Sequence, residues 1–281
     1  MKWSAGDRDN IEERRSRSGL RGGVPLGIGG IVILALLSYA TGTDFLSLLD
    51  SGALPVDPIS AGQPPRATSP GEEYRVNFVD AVARDTQATW AQVLGPRYER
   101  TVVVLFTDAV ESACGAADAA TGPFYCPADR KVYLDLGFFD ELSRRFGAPG
   151  EFAQAYVIAH EFGHHVQNLL GTNARVGRDR AGANSASVAL ELQADCYAGI
   201  WGHAASQQGR FQAGQVELEP GDAEEALNAA AAIGDDRLQR MGGRRVAPER
   251  FTHGTSEQRV AWFRRGMESG DPARCDTFAA R

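Results

Sequence analysis

Three of the chain's five histidines lie within six positions, in the stretch AYVIAHEFGHHVQ at residues 155–167. The flanking residues are apolar or good helix formers, and no proline occurs at 150–171. An α-helix turns by about 100° per residue, so His160 and His164 project from one face, one turn apart. Two imidazoles placed in this way could bind a zinc ion. Glu161 beside them could act as the general base for a water molecule, the H-E-x-x-H pattern of zinc peptidases.

His165 belongs to a different face of the same predicted helix. A four-three-four spacing marks an apolar stripe on the side away from the proposed ligands, formed by Ile158, Phe162, His165 and Leu169. We therefore expect His165 to be packed or hydrogen-bonded within the fold. Contact with substrate is the alternative.

A catalytic zinc ion takes three protein ligands and keeps one position for water. The metzincin pattern would need glycine and histidine where this chain has Gln167 and Leu170, so that class is excluded. The remaining histidines, His203 and His253, lie far along the chain and outside any ligand motif. A carboxylate is the other kind of ligand that a site of this class uses.

The stretch ALELQADCYAGIW at 189–201 contains two carboxylates four positions apart, Glu191 and Asp195. The pattern predicts a second helix that begins near Ser185 or Ser187. Two acids on one face of an apolar helix are costly to bury unless positive charge compensates them, and a zinc ion with its histidines would do so. An ordinary solvated acidic face is the alternative.

The spacing of Glu191 and Asp195 resembles that of the gluzincin peptidases, in which the glutamate ligates zinc and the aspartate orients the first histidine. This resemblance implies that Glu191 is the third metal ligand and that Asp195 accepts a hydrogen bond from the ring of His160. Longer stretches, SACGAADAATGPFYCPADRKVYLDLGFFDEL, ELQADCYAG and FTHGTSEQRV, resemble the bacterial putative neutral zinc metallopeptidase family, together with the histidine motif. The resemblance covers most of the chain and implies a zincin-like peptidase with Zn²⁺ as its cofactor.

His253 precedes a predicted helix in the stretch THGTSEQR. The placement is similar to that in other membrane zinc peptidases, which carry a histidine ahead of a helix with a downstream arginine, here Arg259. It predicts that His253 stabilises the oxyanion formed on the scissile carbonyl. A loop histidine that supports the turn is the alternative. The polar loop before the second helix carries arginines that either line a cleft or are solvated, namely Arg175, Arg178 and Arg180.

Residues 22–43 contain no charged residue. As a helix they would be about 33 Å long, enough to span a hydrocarbon core of about 30 Å. Six basic residues precede this run against four acidic ones. The positive-inside rule therefore predicts a transmembrane helix with a cytoplasmic tail at 1–21 and an extracytoplasmic domain. A cleaved signal peptide and a buried helix are the alternatives.

The chain after this run divides into a tether and a domain. Residues 44–71 form a predicted proline-rich linker, since 51–71 hold five of the chain's 13 prolines. Residues 72–281 are enough for one zinc metallopeptidase domain with its own core. The net charge of −7 and the lack of a basic cluster in this domain argue against nucleic acid as a partner.

All four cysteines follow the apolar run, and an even number on the oxidising side predicts two disulfides. Cys114 and Cys126 enclose a short loop rich in Gly, Ala and Pro, so we pair them and leave Cys196 with Cys275. Four cysteines allow three pairings. No C-x-x-C occurs, which argues against a structural zinc held by cysteines.

The remaining pattern predicts an α+β fold, dominated by helices, with a small sheet. Helices are expected at 74–95, 140–146, 150–170, 222–240 and 256–268, the last with a capping box of Thr255 and Gln258. Strands are expected at 101–106 and 131–136. The second strand, KVYLDL, is the candidate for the zincin edge strand that binds the substrate backbone, with an interior strand as the alternative.

These features predict a membrane-anchored zinc endopeptidase that acts on protein or peptide substrates outside the cytoplasm. Zinc would polarise the scissile carbonyl, and Glu161 would take a proton from water and pass it to the leaving amine. A catalytically silent, zinc-stabilised binding or assembly module is the second hypothesis, but such a module has no use for Glu161. An amidase acting on cell-wall peptides is the third.

Overall fold

Helices predominate in the residues that the structure, a computed structural model, describes: 1–14, 69–118, 121–213 and 215–279. In chain order the elements are β1 (Ile11–Glu13), α1 (Pro70–Leu94), β2 (Val103–Phe106), β3 (Ala109–Ser112), β4 (Gly115–Asp118), β5 (Phe124–Cys126), β6 (Lys131–Asp135), α2 (Phe138–Arg144), α3 (Glu151–Leu169), α4 (Ala186–Ala205), α5 (Asp222–Ala232), α6 (Asp235–Met241) and α7 (Ser256–Ser269). The predicted α+β class, mainly helical with a small sheet, is confirmed.

The predicted transmembrane helix at 22–43 lies outside the described residues, as does most of the predicted linker at 44–71. Within the described ranges, none of the helices has both the length and the apolar character needed to cross a bilayer.

The helices that carry the candidate site begin where the sequence predicts. α3 matches the helix expected at 150–170. α4 begins after Ser185, whose hydroxyl accepts a hydrogen bond from the backbone N–H of Val188. α7 begins with the expected capping box, in which the side chains of Thr255 and Gln258 each accept a hydrogen bond from the other's backbone N–H.

Two of the predicted helices differ from the structure by more than a shift of two residues. α1 begins directly after Ser69, inside the expected linker, because Ser69 and Glu72 form a second capping box. The single helix expected at 222–240 is two helices, because the backbone of Gly234 is extended, with φ −70° and ψ 143°. A Cβ at Gly234 would lie 2.4 Å from the backbone nitrogen of Ser256, so the chain is closely packed at this break.

Four strands form the main sheet in the order β1–β2–β6–β5, while β3 and β4 form a separate antiparallel hairpin. β1, β2 and β6 run parallel, and β5 is antiparallel to β6. The prediction that KVYLDL at 131–136 forms the edge strand is wrong, because β6 lies between β2 and β5. Four consecutive buried residues in β6 are the mark of such an interior strand. The edge strand on this side is β5.

Alternate residues of β2 and β6 pack on opposite sides of the sheet. One set joins the main core, which also contains side chains of α1, α3, α4 and α7: Val103, Leu105, Val132 and Leu134. The other set forms a smaller cluster with the β3–β4 hairpin: Val104, Phe106 and Tyr133. Because both sides of the sheet are covered, it provides a fixed support for α3.

Two disulfides stabilise the fold, and both join the predicted partners. Cys114 and Cys126 connect the turn between β3 and β4 to the edge strand β5. Cys196 and Cys275 connect α4 to the segment after α7. The predicted pairing is therefore confirmed.

The first fourteen residues are part of the same compact unit as the residues from 69 onward. β1 forms the far edge of the main sheet, where Ile11 lies opposite Val103 in a parallel pair. The structure thus differs from the expectation of a separate amino-terminal tail. The sequence gives no sign of this strand, because three residues, two of them glutamates, show neither alternation nor β-branched enrichment.

Candidate active site

His160 and His164 project from α3 toward Glu191 on α4. The Nε2 atom of His160 lies 3.3 Å from one carboxylate oxygen of Glu191, and Nε2 of His164 lies 3.5 Å from the other. The three candidate ligand atoms lie within 4.8 Å of one another. Zinc bonds of about 2.0–2.1 Å at tetrahedral angles place ligand atoms about 3.3 Å apart. The chemistry and spacing of this donor set therefore fit a zinc ion.

The helices can bring these side chains together because glycines lie where the helices cross. A Cβ at Gly163 on α3 would lie 2.9 Å from the carbonyl oxygen of Ala194 on α4. A Cβ at Gly266 on α7 would lie 1.9 Å from the carbonyl oxygen of Cys196 on α4. Any larger residue would separate α3, α4 and α7, and with them the two imidazoles from Glu191.

A buried polar network holds the ring of His160. Its Nδ1–H donates to Oδ1 of Asp195, 2.8 Å away, and the same carboxylate oxygen accepts the Tyr156 hydroxyl at 2.6 Å. Arg259 on α7 donates from Nε to Oδ2 and from Nη2 to Oδ1 of Asp195, both at 2.9 Å. Because Nδ1 carries the hydrogen, Nε2 is left to face Glu191 and a metal. Asp195 thus lies at the ring nitrogen of His160, the contact that the resemblance to the gluzincin peptidases implies.

A second network holds the ring of His164, and the sequence does not predict it. Its Nδ1–H donates to Oε1 of Gln167 at 2.8 Å. The Nε2 of Gln167 donates in turn to the carbonyl of Leu190 at 2.6 Å and to Oε1 of Gln193 at 3.2 Å. Gln193 then donates to the carbonyl of Cys275 at 3.0 Å. The only signal in the sequence is the three-residue spacing from His164 to Gln167, which places both on one helix face.

The charges of the site favour a cation between the three candidate ligands. Burial opposes the charged form of His160, but the neighbouring Asp195 carboxylate prevails and raises the pKa of His160 to about 10. Burial likewise opposes the charged form of His164, yet Glu191 raises its pKa. Burial would raise the pKa of Glu191, but the two imidazoles hold it well below its ordinary value. A bound dication would satisfy the same carboxylates.

Glu161 lies beside the candidate ligands, on the wall of a cleft of about 1570 Å³ that contains all three of them. It is 7 % exposed. Among the described residues its carboxylate has no hydrogen-bond partner, so it is available to a water molecule in the cleft. Much of the remaining wall is apolar, including Phe138, Phe146, Val157, Ile233, Leu238 and Met241. The cleft is large enough for several residues of a peptide.

Comparison with known proteins points to the same metal, through the name of the family that matches. Residues 1–278 match the family described as putative neutral zinc metallopeptidase. The chain belongs to this family. It is 45 % identical to the uncharacterized protein YpfJ of Escherichia coli (strain K12) over 295 residues, covering 99 % of each chain. It is 47 % identical to the uncharacterized protein Rv2575 of Mycobacterium tuberculosis (strain ATCC 25618 / H37Rv) over 206 residues, covering 72 % of this chain and 70 % of that one. No solved structure matches it.

His253 lines the same cleft of this zinc metallopeptidase family member, next to α7. Its Nδ1 lies 3.4 Å from Oδ1 of Asp235 and 2.9 Å from the hydroxyl of Thr252. The hydrogen bond to Asp235 outweighs burial and raises the pKa of His253. Asp235 also accepts the backbone N–H groups of Thr252, His253 and Gly254, so it positions the whole turn. The sequence predicts the place of His253 but not this partner.

The free edge of β5 also borders the cleft. On the other side of β6, toward β2, the backbone N–H of Val132 donates to the carbonyl of Val102, and that of Leu136 donates to the carbonyl of Phe106. Successive residues of a strand direct their backbone N–H and C=O groups to opposite sides. The backbone groups of Lys131 and Tyr133 therefore point toward β5, where these residues pair with Cys126 and Phe124. The backbone N–H and C=O of Tyr125 therefore point away from the sheet, where an extended peptide could pair with them.

Most of the other candidate residues lie outside the cleft. His165 is buried, with its Nε2–H donating to the carbonyl of Glu99 at 2.7 Å and its Nδ1 accepting the Tyr125 hydroxyl at 3.0 Å, which is the structural role expected. His203 donates to the carbonyl of Met267, away from the cleft. Of the three loop arginines, only Arg180 lines the cleft within the described residues.

Proposed function

We propose that this member of the zinc metallopeptidase family is a zinc-dependent peptidase that cleaves protein or peptide substrates in the cleft beside α3. One observation carries the proposal. The Nε2 atoms of His160 and His164 and the carboxylate of Glu191 have the spacing of zinc ligands, and the free carboxylate of Glu161 lies next to them in an open cleft. A site that only stabilises the fold has no need of Glu161.

A zinc ion held by His160, His164 and Glu191 would supply Lewis-acid activation of a water molecule and of the scissile carbonyl. Glu161 accepts the proton of the attacking water and delivers it to the leaving amine. His253 in its charged form donates a hydrogen bond to the oxygen of the scissile carbonyl as negative charge develops there.

The substrate binds as an extended chain along the free edge of β5. The outward N–H and C=O groups of Tyr125 pair with its backbone, and the disulfide at Cys126 anchors the end of the strand. The two disulfides also support an oxidising, extracytoplasmic compartment as the place of work.

The test is zinc content and peptide hydrolysis by the purified full chain, with Glu161→Gln as the diagnostic variant. The glutamine keeps the size and polarity of the side chain but cannot accept the proton, so it should bind one zinc ion and lose turnover by about 10²- to 10⁴-fold. Glu141→Gln is the matched control, since Glu141 lines the same cleft but is exposed and is not one of the candidate ligands. It should retain turnover.

His164→Ala should lose zinc and activity together, since it removes a ligand. Near-normal turnover in Glu161→Gln would contradict the proposed mechanism. Stoichiometric zinc without hydrolysis of any peptide in a mixed library would instead favour the silent binding module.

A further inference from the structure

The first fourteen residues form part of the folded domain by backbone pairing at two places. β1 pairs in parallel with β2 along three residues, from Ile11 opposite Val103 to Glu13 opposite Leu105. Nearer the amino terminus, the N–H of Lys2 donates to the carbonyl of Glu217 at 2.8 Å, and the N–H of Glu217 donates back at 3.1 Å. These bonds tie both ends of the segment to the domain.

Buried side chains of the domain depend on Asn10. Asn10 is 2 % exposed, and its Nδ2 donates to Oδ1 of Asp80 at 3.0 Å. Its Oδ1 accepts hydrogen bonds from Gln87 at 2.7 Å and from Arg100 at 2.6 Å. Asp80 and Gln87 are themselves buried in α1. Without Asn10 their polar groups would lose a partner in the interior, which is costly.

Trp3 connects the segment to the helix that carries the metal site. Its ring packs edge-on against Tyr74 and Phe78 of α1, with centroid distances of 5.1 and 5.5 Å. Its Nε1–H donates to the carboxylate of Glu151, the first residue of α3, at 3.2 Å. The segment therefore contributes to the position of α1 and α3 relative to each other.

Basic residues that predict a cytoplasmic amino terminus have partners on the domain. Lys2 forms an ion pair with Glu217 at 2.8 Å, and Arg8 forms one with Glu73. The guanidinium of Arg14 donates to the backbone carbonyl of Glu111 at 3.1 Å. These three basic side chains therefore have a role in the folded domain. For that reason they are weaker evidence for a cytoplasmic amino terminus.

We infer that residues 1–14 and the catalytic domain occupy the same side of the membrane, with β1 serving as an intramolecular edge strand of the domain. A single crossing at 22–43 would place a bilayer between Ile11 and Val103, which are directly paired. This conclusion replaces the predicted arrangement of a cytoplasmic tail and an extracytoplasmic domain, and it does not depend on peptidase activity.

Sidedness can be measured in intact cells with single added thiols. All four native cysteines are in disulfides, so the parent chain itself should show little labelling by a thiol reagent. Ala5→Cys and Ala91→Cys each place a thiol at an exposed position, one in the amino-terminal segment and one on α1. A membrane-impermeant maleimide should label both thiols to the same extent, before and after permeabilisation. Labelling of only one of them before permeabilisation would overturn the inference.

Docking of β1 is measured separately by cross-linking the full chain. The side chains of Glu12 and Lys131 form an ion pair across β2, although Lys131 lies two residues before Tyr133, the residue level with Glu12 on β6. Glu12→Cys with Lys131→Cys should therefore be joined by a permeant bis-maleimide with a spacer of about 12 Å, which spans two strand spacings and the two-residue offset. Glu13→Cys with Lys131→Cys is the matched control, since the next side chain points to the opposite face of the sheet.

Mass spectrometry should show the cross-linked peptide for the Glu12 pair and at most a tenth as much for the Glu13 pair. Absence of the Glu12 cross-link would show that the strand is not docked, and it would overturn the inference even if both thiols were labelled alike. Neither thiol labelling nor cross-linking depends on peptidase activity. Failure of this inference can therefore be distinguished from failure of the proposed function.

Discussion

Arg259 donates two parallel hydrogen bonds of 2.9 Å to the carboxylate of Asp195, and both side chains are buried. Burial opposes the charged form of Asp195, but Arg259 and then His160 hold its pKa below the ordinary value. A charged Asp195 is the acceptor that keeps the hydrogen on Nδ1 of His160. The geometry of a metal ligand on α3 thus depends on a residue of α7.

Arg259→Met should destabilise the protein by about 3–5 kcal/mol, because it leaves the buried Asp195 carboxylate without its partner. The double variant Arg259→Met with Asp195→Asn should recover part of this loss. Arg264→Met, an exposed position on the same helix, should change the free energy of unfolding by about 0.5 kcal/mol or less. Denaturant unfolding measures all three. Equal losses at 259 and 264 would contradict the role of the ion pair.

Gln167 should contribute to zinc affinity although it cannot touch the metal. Gln167→Met removes the acceptor of His164 but keeps the side-chain length, so affinity should fall, by less than the 10- to 100-fold expected for Asp195→Asn. The amide is a neutral acceptor and therefore the weaker one. Competition with a chromophoric chelator measures both variants. Gln154→Met on the same helix is the control, and Glu191→Ala should lose zinc almost completely.

His253→Ala should lower turnover by about 10²- to 10³-fold, the usual loss for an oxyanion donor, with zinc content unchanged. Steady-state kinetics and metal analysis on the same sample test both parts. Turnover within a few-fold of the parent would assign His253 to the support of its turn alone.

Asp235 should set the pH at which activity is lost on the alkaline side. The charged form of His253 is the donor, and its raised pKa keeps that form present to higher pH than an ordinary histidine. Activity should therefore fall as pH rises through this pKa. Asp235→Asn removes the negative charge and should move the fall to lower pH. Asp236→Asn, which leaves the His253 contact intact, should not move the profile.

Removal of the Cys196–Cys275 disulfide should be more damaging than removal of Cys114–Cys126. The longer loop, with a sequence separation of 79, corresponds to about 4–5 kcal/mol in the chain-entropy account, against about 3 kcal/mol for the separation of 12. The carbonyl of Cys275 also accepts the last hydrogen bond in the network behind His164. Paired alanine variants should show this order in unfolding and, for the longer loop, lower zinc affinity.

The sequence predicts the parts of the site that obey local spacing rules. His160, Glu161 and His164 follow a helical repeat, and the caps at Ser185 and Thr255 mark helix starts, so α3, α4 and α7 lie where expected. The two disulfides are predicted from their order and the loop that one of them encloses.

The parts that the sequence does not predict depend on distant contacts. Tyr125 is at the edge of the sheet because β5 pairs with only one of the described strands, and a three-residue strand is too short to show a period. Asp235 acts on His253 across eighteen positions through a turn. Glutamine is common on the exposed faces of helices, but Gln167 is fully buried, because α4 and the carboxyl-terminal segment cover it.

The parallel pairing of β1 with β2 has a consequence for the order of folding. About 90 residues separate Ile11 from Val103, so closing this loop carries a large entropic cost. Three strand residues cannot offset that cost until β2 and α1 already present a formed edge and the pocket for Asn10. We therefore expect residues 1–14 to be among the last to reach their native contacts. Until then, the unpaired edge of β2 is exposed to strand exchange with other chains, and rapid closure by β1 would limit aggregation.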